Sequence, residues 1–365
     1  MSKQRALLFL ATTLFSALIY WSGVFGSASG VEHQSDISNA LVSPPASKSI
    51  NKIPTKTSNN TFSKPFSFAL VGDLPYTPNQ LGAFKSMVDT INKDKSIDLV
   101  VHAGDIKGGG ERCDNALIDS RFMLYQGFKP PFVYTPGDNE WADCHRKSNG
   151  TYYPLERLKY LREKVFPTLN ANLLAREHST VSQGDMPGYK EFVENVRFTK
   201  HGVIFATLHV IGSNNNLLAW KGYDAKDSTK NPRLDRIRDF ERRRNAALVW
   251  LDVTFEQAVQ QNAKAVFLIM HANPRLNLSR NDKKRAGFIA ITDRIQMLSE
   301  KFQRPVVLSH GDHHTFFVDK PFISSNRKNT LLNLTRVQSF GYPMMRWVKV
   351  TVQDDDQNFF VFEAQ

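Results

Sequence analysis

Five short turns place acids or imidazoles directly behind apolar runs. Residues 68–76 read FALVGDLPY with Asp73, residues 99–110 read LVVHAGDIKGGG with Asp105, and residues 131–141 read PFVYTPGDNEW with Asp138. Residues 266–274 read VFLIMHANP with His271, and residues 304–316 read RPVVLSHGDHHTF with His310, Asp312, His313 and His314. Carboxylates and imidazoles without paired thiolates suit Mn, Fe, Zn or Mg, and several carboxylates hold two such ions about 3.5–4 Å apart around a phosphoryl group. The pattern therefore points to two-metal hydrolysis.

For these residues to meet, the runs before them must be strands of one architecture. In open α/β sheets ligands gather outside the carboxyl ends of strands, where loops from distant segments converge. Apolar patterning predicts strands near 66–72, 98–103, 131–135, 203–211, 264–270 and 305–309, with helices near 80–93, 154–166 and 287–302. Phe240, Leu248, Leu251, Phe255 and Val259 recur at helical spacing and predict a further helix of roughly 20 residues. Apolar runs near 346–352 and 359–363 are expected to close a second sheet.

The five motifs, in this order and spacing, resemble the calcineurin-like metallophosphoesterases, whose pattern runs D-x-H, G-D, G-N-H-E or G-N-H-D, H, and G-H-x-H. The resemblance spans roughly residues 65–320. It implies an α/β fold, a two-sheet β-sandwich flanked by helices, with two metal ions (Mn, Fe or Zn) at one edge between the sheets. Asp105 would bridge both ions, Asp73 and His314 would hold the first, and Asp138 and His271 the second. A hydroxide shared by the ions would attack phosphorus in line with the leaving oxygen of a phosphorylated small-molecule or macromolecular substrate.

Three positions depart from the family pattern. Pro75 stands where D-x-H has its histidine, with Tyr76 beside it as a substitute phenolate. Asp138 and Asn139 replace Asn and His of G-N-H-E. Asn cannot give up a proton but still donates a hydrogen bond to a leaving group, so Asn139 is a candidate catalytic residue. Asp312 replaces the first histidine of G-H-x-H and is expected as a further metal ligand, leaving His310 or His313 as substitute acid, with His310 preferred. The added carboxylates lower the charge of the metal cluster, and Lys107 with Gly108-Gly109-Gly110 is a candidate compensating anion cradle. These losses motivate the rival expectation of a catalytically impaired, metal-containing binding protein on the same fold.

Other polar residues read more plainly. His102, inside an apolar run, is expected to be a hydrogen-bonded core histidine. The Asn-rich turn after His209 is read mainly as a turn, and the basic run at residues 233–244 as a solvated helix face. No nucleic-acid-binding motif appears.

The 365 residues, 41% of them hydrophobic, suffice for one large domain, assigned to residues 65–365. Residues 1–28, with Lys3 and Arg5 before an apolar stretch, read as a secretory signal or a membrane tether. Residues 29–64, rich in Ser, Asn, Lys and Thr, read as a flexible linker. The catalytic domain is thus expected to be secreted or periplasmic, where Cys113 and Cys144, the only two cysteines, should pair. Asn59, Asn149, Asn277 and Asn333 each begin an N-x-S/T pattern. A formal charge of +12 favours anionic partners.

Overall fold

The computed structural model describes residues 65–326, 328–355 and 358–365; the expected signal or tether and the linker lie outside them. In chain order the strands are β1 (Phe66–Val71), β2 (Ile97–His102), β3 (Phe132–Tyr134), β4 (Val181–Ser182), β5 (Val196–Lys200), β6 (Val203–Thr207), β7 (Ala265–Ile269), β8 (Val306–His310), β9 (Phe317–Asp319), β10 (Leu334–Gln338), β11 (Val348–Val352) and β12 (Phe360–Ala364). They form a five-stranded sheet in the order β12-β11-β1-β2-β3 and a seven-stranded sheet in the order β4-β5-β6-β7-β8-β10-β9. The strands β1, β2 and β3 run parallel, as do β6, β7, β8 and β10. Their carboxyl ends therefore share one edge within each sheet.

Alternation along β1 explains the layering. Phe68 and Leu70 face the other sheet and join Leu99, Val101, Phe205, Phe267 and Val307 in the central core. The Phe68 ring meets Phe205 and Phe267 edge-on, with centroids 5.3 and 4.9 Å away. Ala69 and Val71 face outward, where helices Leu81–Lys93 and Asn115–Tyr125 bring Phe84, Ile91, Ile118 and Phe122. Helices Leu234–Gln260 and Ile289–Phe302 cover the far face of the larger sheet through Trp250, Leu251, Phe255, Ile291 and Ile295. Strands buried on both faces read as continuous apolar runs, which is why they were visible in the sequence.

Several expectations shift. The apolar runs at 346–352 and 359–363 become β11 and β12 and extend the sheet of β1 rather than the sheet of β6 to β8. Antiparallel pairing of β11 with β1 turns Val348, Val350 and Val352 toward the central core, and a one-residue slip would turn them away. The helix expected at 154–166 is Pro154–Tyr160, then a π-helical turn at Leu161–Val165, then Phe166–Leu174. The basic run is not simply solvated. Arg236 is buried against Asp227 at 2.8 Å, and Arg243 is buried against Asp239 at 3.0 Å. Within the same helix Val259 is exposed, outside the apolar face.

Cys113 and Cys144 form a disulfide. It joins the loops after β2 and β3. Among the described residues no helix is long and apolar enough to cross a membrane.

Candidate metal centre

Each candidate ligand sits at or just past a strand end, on backbone bent sharply away from the strand. Asp73, Asp105, Asp312 and His314 all have left-handed φ values, of 56°, 58°, 76° and 61°. Residues other than glycine seldom adopt this conformation, and it persists where surrounding contacts over-determine it. Here those contacts are mutual. The Asp73 amide donates to the Gly104 carbonyl at 2.9 Å, and the Asp312 amide donates to Asp73 Oδ1 and Oδ2 at 3.1 and 3.2 Å. Gly104 and Gly137 allow the close approach, because a Cβ on Gly104 would strike the His271 ring and one on Gly137 the Asp105 carboxylate.

Two sets of donor atoms result, each lying within 4.8 Å of one another: Asp73, Asp105 and His271, and Asp138, His271 and Asp312. His271 Nδ1 donates to the Ala103 carbonyl at 2.8 Å, which points Nε2 at Asp138 Oδ1, 3.1 Å away, and Asp105 Oδ1, 3.5 Å away. That orientation suits a metal-ligating imidazole. His314 stands at the other side, with Nε2 3.5 Å from Asp73 Oδ1 and Nδ1 bonded to the Tyr342 carbonyl at 2.7 Å.

Tyr76 fills the space left by the missing histidine. Its hydroxyl donates toward Asp105 Oδ2 at 2.9 Å and Asp73 Oδ1 at 3.2 Å, and lies 3.2 Å from His314 Nε2. Tyr342 stacks on its ring at a centroid distance of 5.6 Å. One phenolic oxygen thus touches three candidate ligands.

The electrostatics favour a cation. Burial, reinforced by Glu140, Asp138 and Asp73, pushes Asp105 well above the usual carboxylate range, although His271 opposes the shift. Burial and the charge of Asp138 raise Asp312 to about 6. Burial works against ionisation of Asp138 as well, yet the hydrogen bond and charge of His271, with help from Ser213, hold it at about 2. Burial alone would lower His271, but Asp105, Asp138 and Asp73 raise it well above its ordinary value. Hard oxygen donors crowded against imidazole in a buried site fit divalent or trivalent ions of the Mn, Fe or Zn type.

The two catalytic candidates have other contacts than expected. Asn139 Nδ2 donates to Asp105 Oδ2 at 2.6 Å and to the Lys107 carbonyl at 3.1 Å, and its backbone amide donates to Asp105 Oδ1 at 3.0 Å. One side-chain amide hydrogen goes to Asp105 and the other to the Lys107 carbonyl, so neither is left for a leaving group. His310 is wholly buried within β8; it bonds the Gly311 carbonyl at 3.0 Å, and its ring packs beside Phe317. Burial drops its pKa to about 3, so at neutral pH the ring is uncharged, its one N–H is committed to that carbonyl, and it is no general acid. His313 is exposed beside Asn273, with Nδ1 3.1 Å from Asn273 Nδ2.

Lys107 is likewise drawn inward. Its ammonium donates to the Gly108 and Glu111 carbonyls at 3.1 and 3.0 Å. Gly109 lies where a Cβ would press on the Asn139 side chain, so this glycine makes room for Asn139.

Sequence reasoning missed three supports. Glu140 Oε1 accepts from the Ile106 amide at 3.0 Å and the Tyr134 hydroxyl at 2.8 Å, tying the loops after β2 and β3. The Asn273 amide donates to Asp312 Oδ2 at 3.1 Å. Ser213 donates toward Asp138 Oδ2 at 2.9 Å and Asp143 Oδ1 at 2.7 Å. Ser213 begins a turn in which Ser213, Asn214, Asn215 and Asn216 all have positive φ. Arg243 clamps that turn through the Asn215 side chain at 2.7 Å and carbonyl at 3.0 Å. The Glu140 acid of the third motif was the one available signal. His102 and His209 are both buried, with pKa values lowered by burial to about 4.

A family model, calcineurin-like phosphoesterase, matches residues 66–316. Among solved structures, PhoD is 14% identical at a TM-score of 0.46, covering 79% of this chain and 64% of its own. A 5'-nucleotidase from Candida albicans is 13% identical at a TM-score of 0.44, over 82% of this chain and 50% of its own. A phosphopantetheinyl hydrolase from Mycobacterium tuberculosis is 14% identical at 0.44, over 77% and 91%. This chain spans less than two thirds of PhoD and half of the nucleotidase. No curated protein matches it.

Proposed function

The chain belongs to the calcineurin-like phosphoesterases, hydrolases of phosphate esters, and from that premise we propose that it is an exported enzyme working with two metal ions. The convergence of Asp73, Asp105, Asp138, His271 and Asp312 into two overlapping donor sets that share His271 carries this reading. Asp73, Asp105 and His314, with Tyr76 in place of the absent histidine, would hold one ion. Asp105, Asp138, His271 and Asp312 would hold the other. Bound there, the ions would supply Lewis acidity to the phosphoryl oxygens and bring water near the acidity needed for attack at neutral pH.

The chain's own residues do the rest. Asn139 locks both oxygens of Asp105, and Ser213 fixes the outer oxygen of Asp138. His313, exposed one residue before His314, would take the role of proton donor to the leaving oxygen in place of His310, against the pull of burial and Arg275, which lower its pKa. Export is supported by the Cys113–Cys144 disulfide and by the basic, then apolar, start of the sequence.

Asp105→Asn tests the reading. Phosphoester hydrolysis should fall at least about 1,000-fold, about 4 kcal/mol of barrier, with circular dichroism unchanged. Undiminished turnover would refute the assignment. If the wild-type protein binds metal but turns over no phosphoester, the binding-protein reading takes its place.

A further inference from the structure

A cavity of about 740 Å³ opens beside the metal centre, with Asp138 and Asp312 at its inner end. Its walls are of two kinds. Leu217, Leu218, Pro232 and Ile237 give one apolar side, and Leu218 is 53% exposed although it is a large hydrophobe. Arg275, Lys283 and Lys284 line the same cavity. Nearby cations are neutralised, Arg280 by Asp293, Arg294 by Asp252 and Arg236 by Asp227. By contrast, Arg275, Lys283 and Lys284 form no ion pair among the described residues.

The cavity is held open by rigid backbone. Asn214, in the left-handed turn, accepts from the Gly287 amide at 3.0 Å and donates to the Lys283 carbonyl at 3.0 Å. A Cβ on Gly287 would strike the Asn214 carbonyl, so the lysine-bearing segment and the turn are pressed together. The same turn fixes Asp138 through Ser213. Cavity wall and metal ligand are therefore parts of one strained unit.

A pocket of this size, continuous with the reacting centre, accepts the part of the substrate that leaves. Acids at the inner end match the metal-bound phosphoryl group. An apolar wall combined with three unpaired cations matches an apolar body that carries negative charge of its own. We infer that the preferred substrates are phosphate esters whose leaving group has an apolar, ring-sized body bearing a second anionic group, seated between Leu217–Leu218 and Arg275, Lys283 and Lys284. This inference rests on the phosphoesterase reading above.

The test uses the full chain, metal-supplemented, with three probes: ethyl phosphate, 2-naphthyl phosphate and 6-sulfonato-2-naphthyl phosphate. In each, water attacks phosphorus, the P–O bond to the leaving alcohol breaks, and the alcohol leaves with a proton. Wild-type kcat/KM should rise at least tenfold from ethyl to naphthyl phosphate and about tenfold again for the sulfonated ester. The ratio of the two naphthyl esters should fall to near one in Lys283→Ala/Lys284→Ala, and the ratio of naphthyl to ethyl should shrink in Leu218→Ala. Both lysines are exposed, and only their backbone atoms hold the loop, so folding is not at stake. Hydrolysis of all three esters at equal kcat/KM, or a sulfonate preference that survives the double variant, overturns the inference and leaves the phosphoesterase reading standing. If no ester is turned over, that reading falls. Calorimetry of the two naphthyl esters then decides the pocket: a tenfold tighter Kd for the sulfonated ester, lost in the double variant, keeps it, and equal Kd values overturn it.

Discussion

Tyr76 is the residue that sets this centre apart, because its hydroxyl stands among Asp73, Asp105 and His314 where the family pattern has an imidazole. Burial, and then the charges of Asp105 and Asp73, raise its pKa well above the ordinary phenol value, so the bare chain keeps its proton. A metal ion at the same point would displace that proton and take the phenolate as ligand. Loss of a metal ligand or of its close support commonly costs about 10–100-fold in metal affinity. Tyr76→Phe is therefore expected to lower metal content from two equivalents toward one per chain, with the second ion retained by Asp138 and His271. Elemental mass spectrometry reads this directly, and two equivalents in the variant would remove Tyr76 from the ligand set. The candidate ligand positions were legible in sequence, since each follows an apolar strand, and the fold brings Asp73, Asp105, Asp138, His271 and Asp312 together. The orientation of Asn139 into Asp105 and the burial of His310 were not. Both depend on which face of a loop or strand meets the neighbouring sheet, and local sequence does not carry that information.

Among the loops, two devices hold the strand ends in place. The disulfide ties the segment after β2 to the segment after β3 across 31 residues, and the left-handed turn at Ser213 to Asn216 ties β6 to the Asp138 loop. Closing a loop of this length stabilises a fold by about 4 kcal/mol in the chain-entropy picture. Cys113→Ser/Cys144→Ser should accordingly lower the free energy of unfolding by about 2–4 kcal/mol in urea titrations, and an unchanged midpoint would show the bridge to be dispensable. The cysteine pairing was readable from count and compartment. The turn was not, because four successive left-handed residues are locally unfavourable and exist only under the grip of Arg243, Asp239 and Gly287. The same grip explains why the basic run was misread: Arg243 and Arg236 are internal struts, while Arg238 and Arg242 face water.

At the scale of the whole protein, two buried histidines give its stability an acid-sensitive component. His209 accepts from Trp141 Nε1 at 3.1 Å and donates from Nδ1 to Glu194 at 2.6 Å, an arrangement that fixes the neutral ring. Burial places His209 and His102 at about 4 in the folded state, against about 6.5 in an unfolded chain. Between those values the unfolded chain binds more protons, so stability is lost as pH falls from about 6.5 to 4, by up to ~3 kcal/mol per histidine. Burial opposes ionisation of Glu194, but Arg162 and His209 hold it down at about 2, so its contribution begins to be lost lower still, as pH falls from about 4.5 toward 2. The raised carboxyls of Asp105 and Asp312 act in the opposite sense, so the histidine share is read by comparison: between pH 7.5 and 4 the urea midpoint should fall by more in the wild type than in His209→Gln, and parallel profiles would contradict the buried neutral histidine. The sandwich has one more consequence, for how it is made. β1 is central to its sheet, yet Phe66 pairs on one side with Val352, so a ribosome or export channel delivering the chain from its amino end releases β1 long before that partner. Until β11 arrives, the apolar edge of β1 is open to pairing with other chains, and the Tyr342 carbonyl that orients His314 is missing. Nascent or truncated chains are thus expected to be both aggregation-prone and unable to complete the metal centre, which makes late synthesis the step where this protein most needs a chaperone.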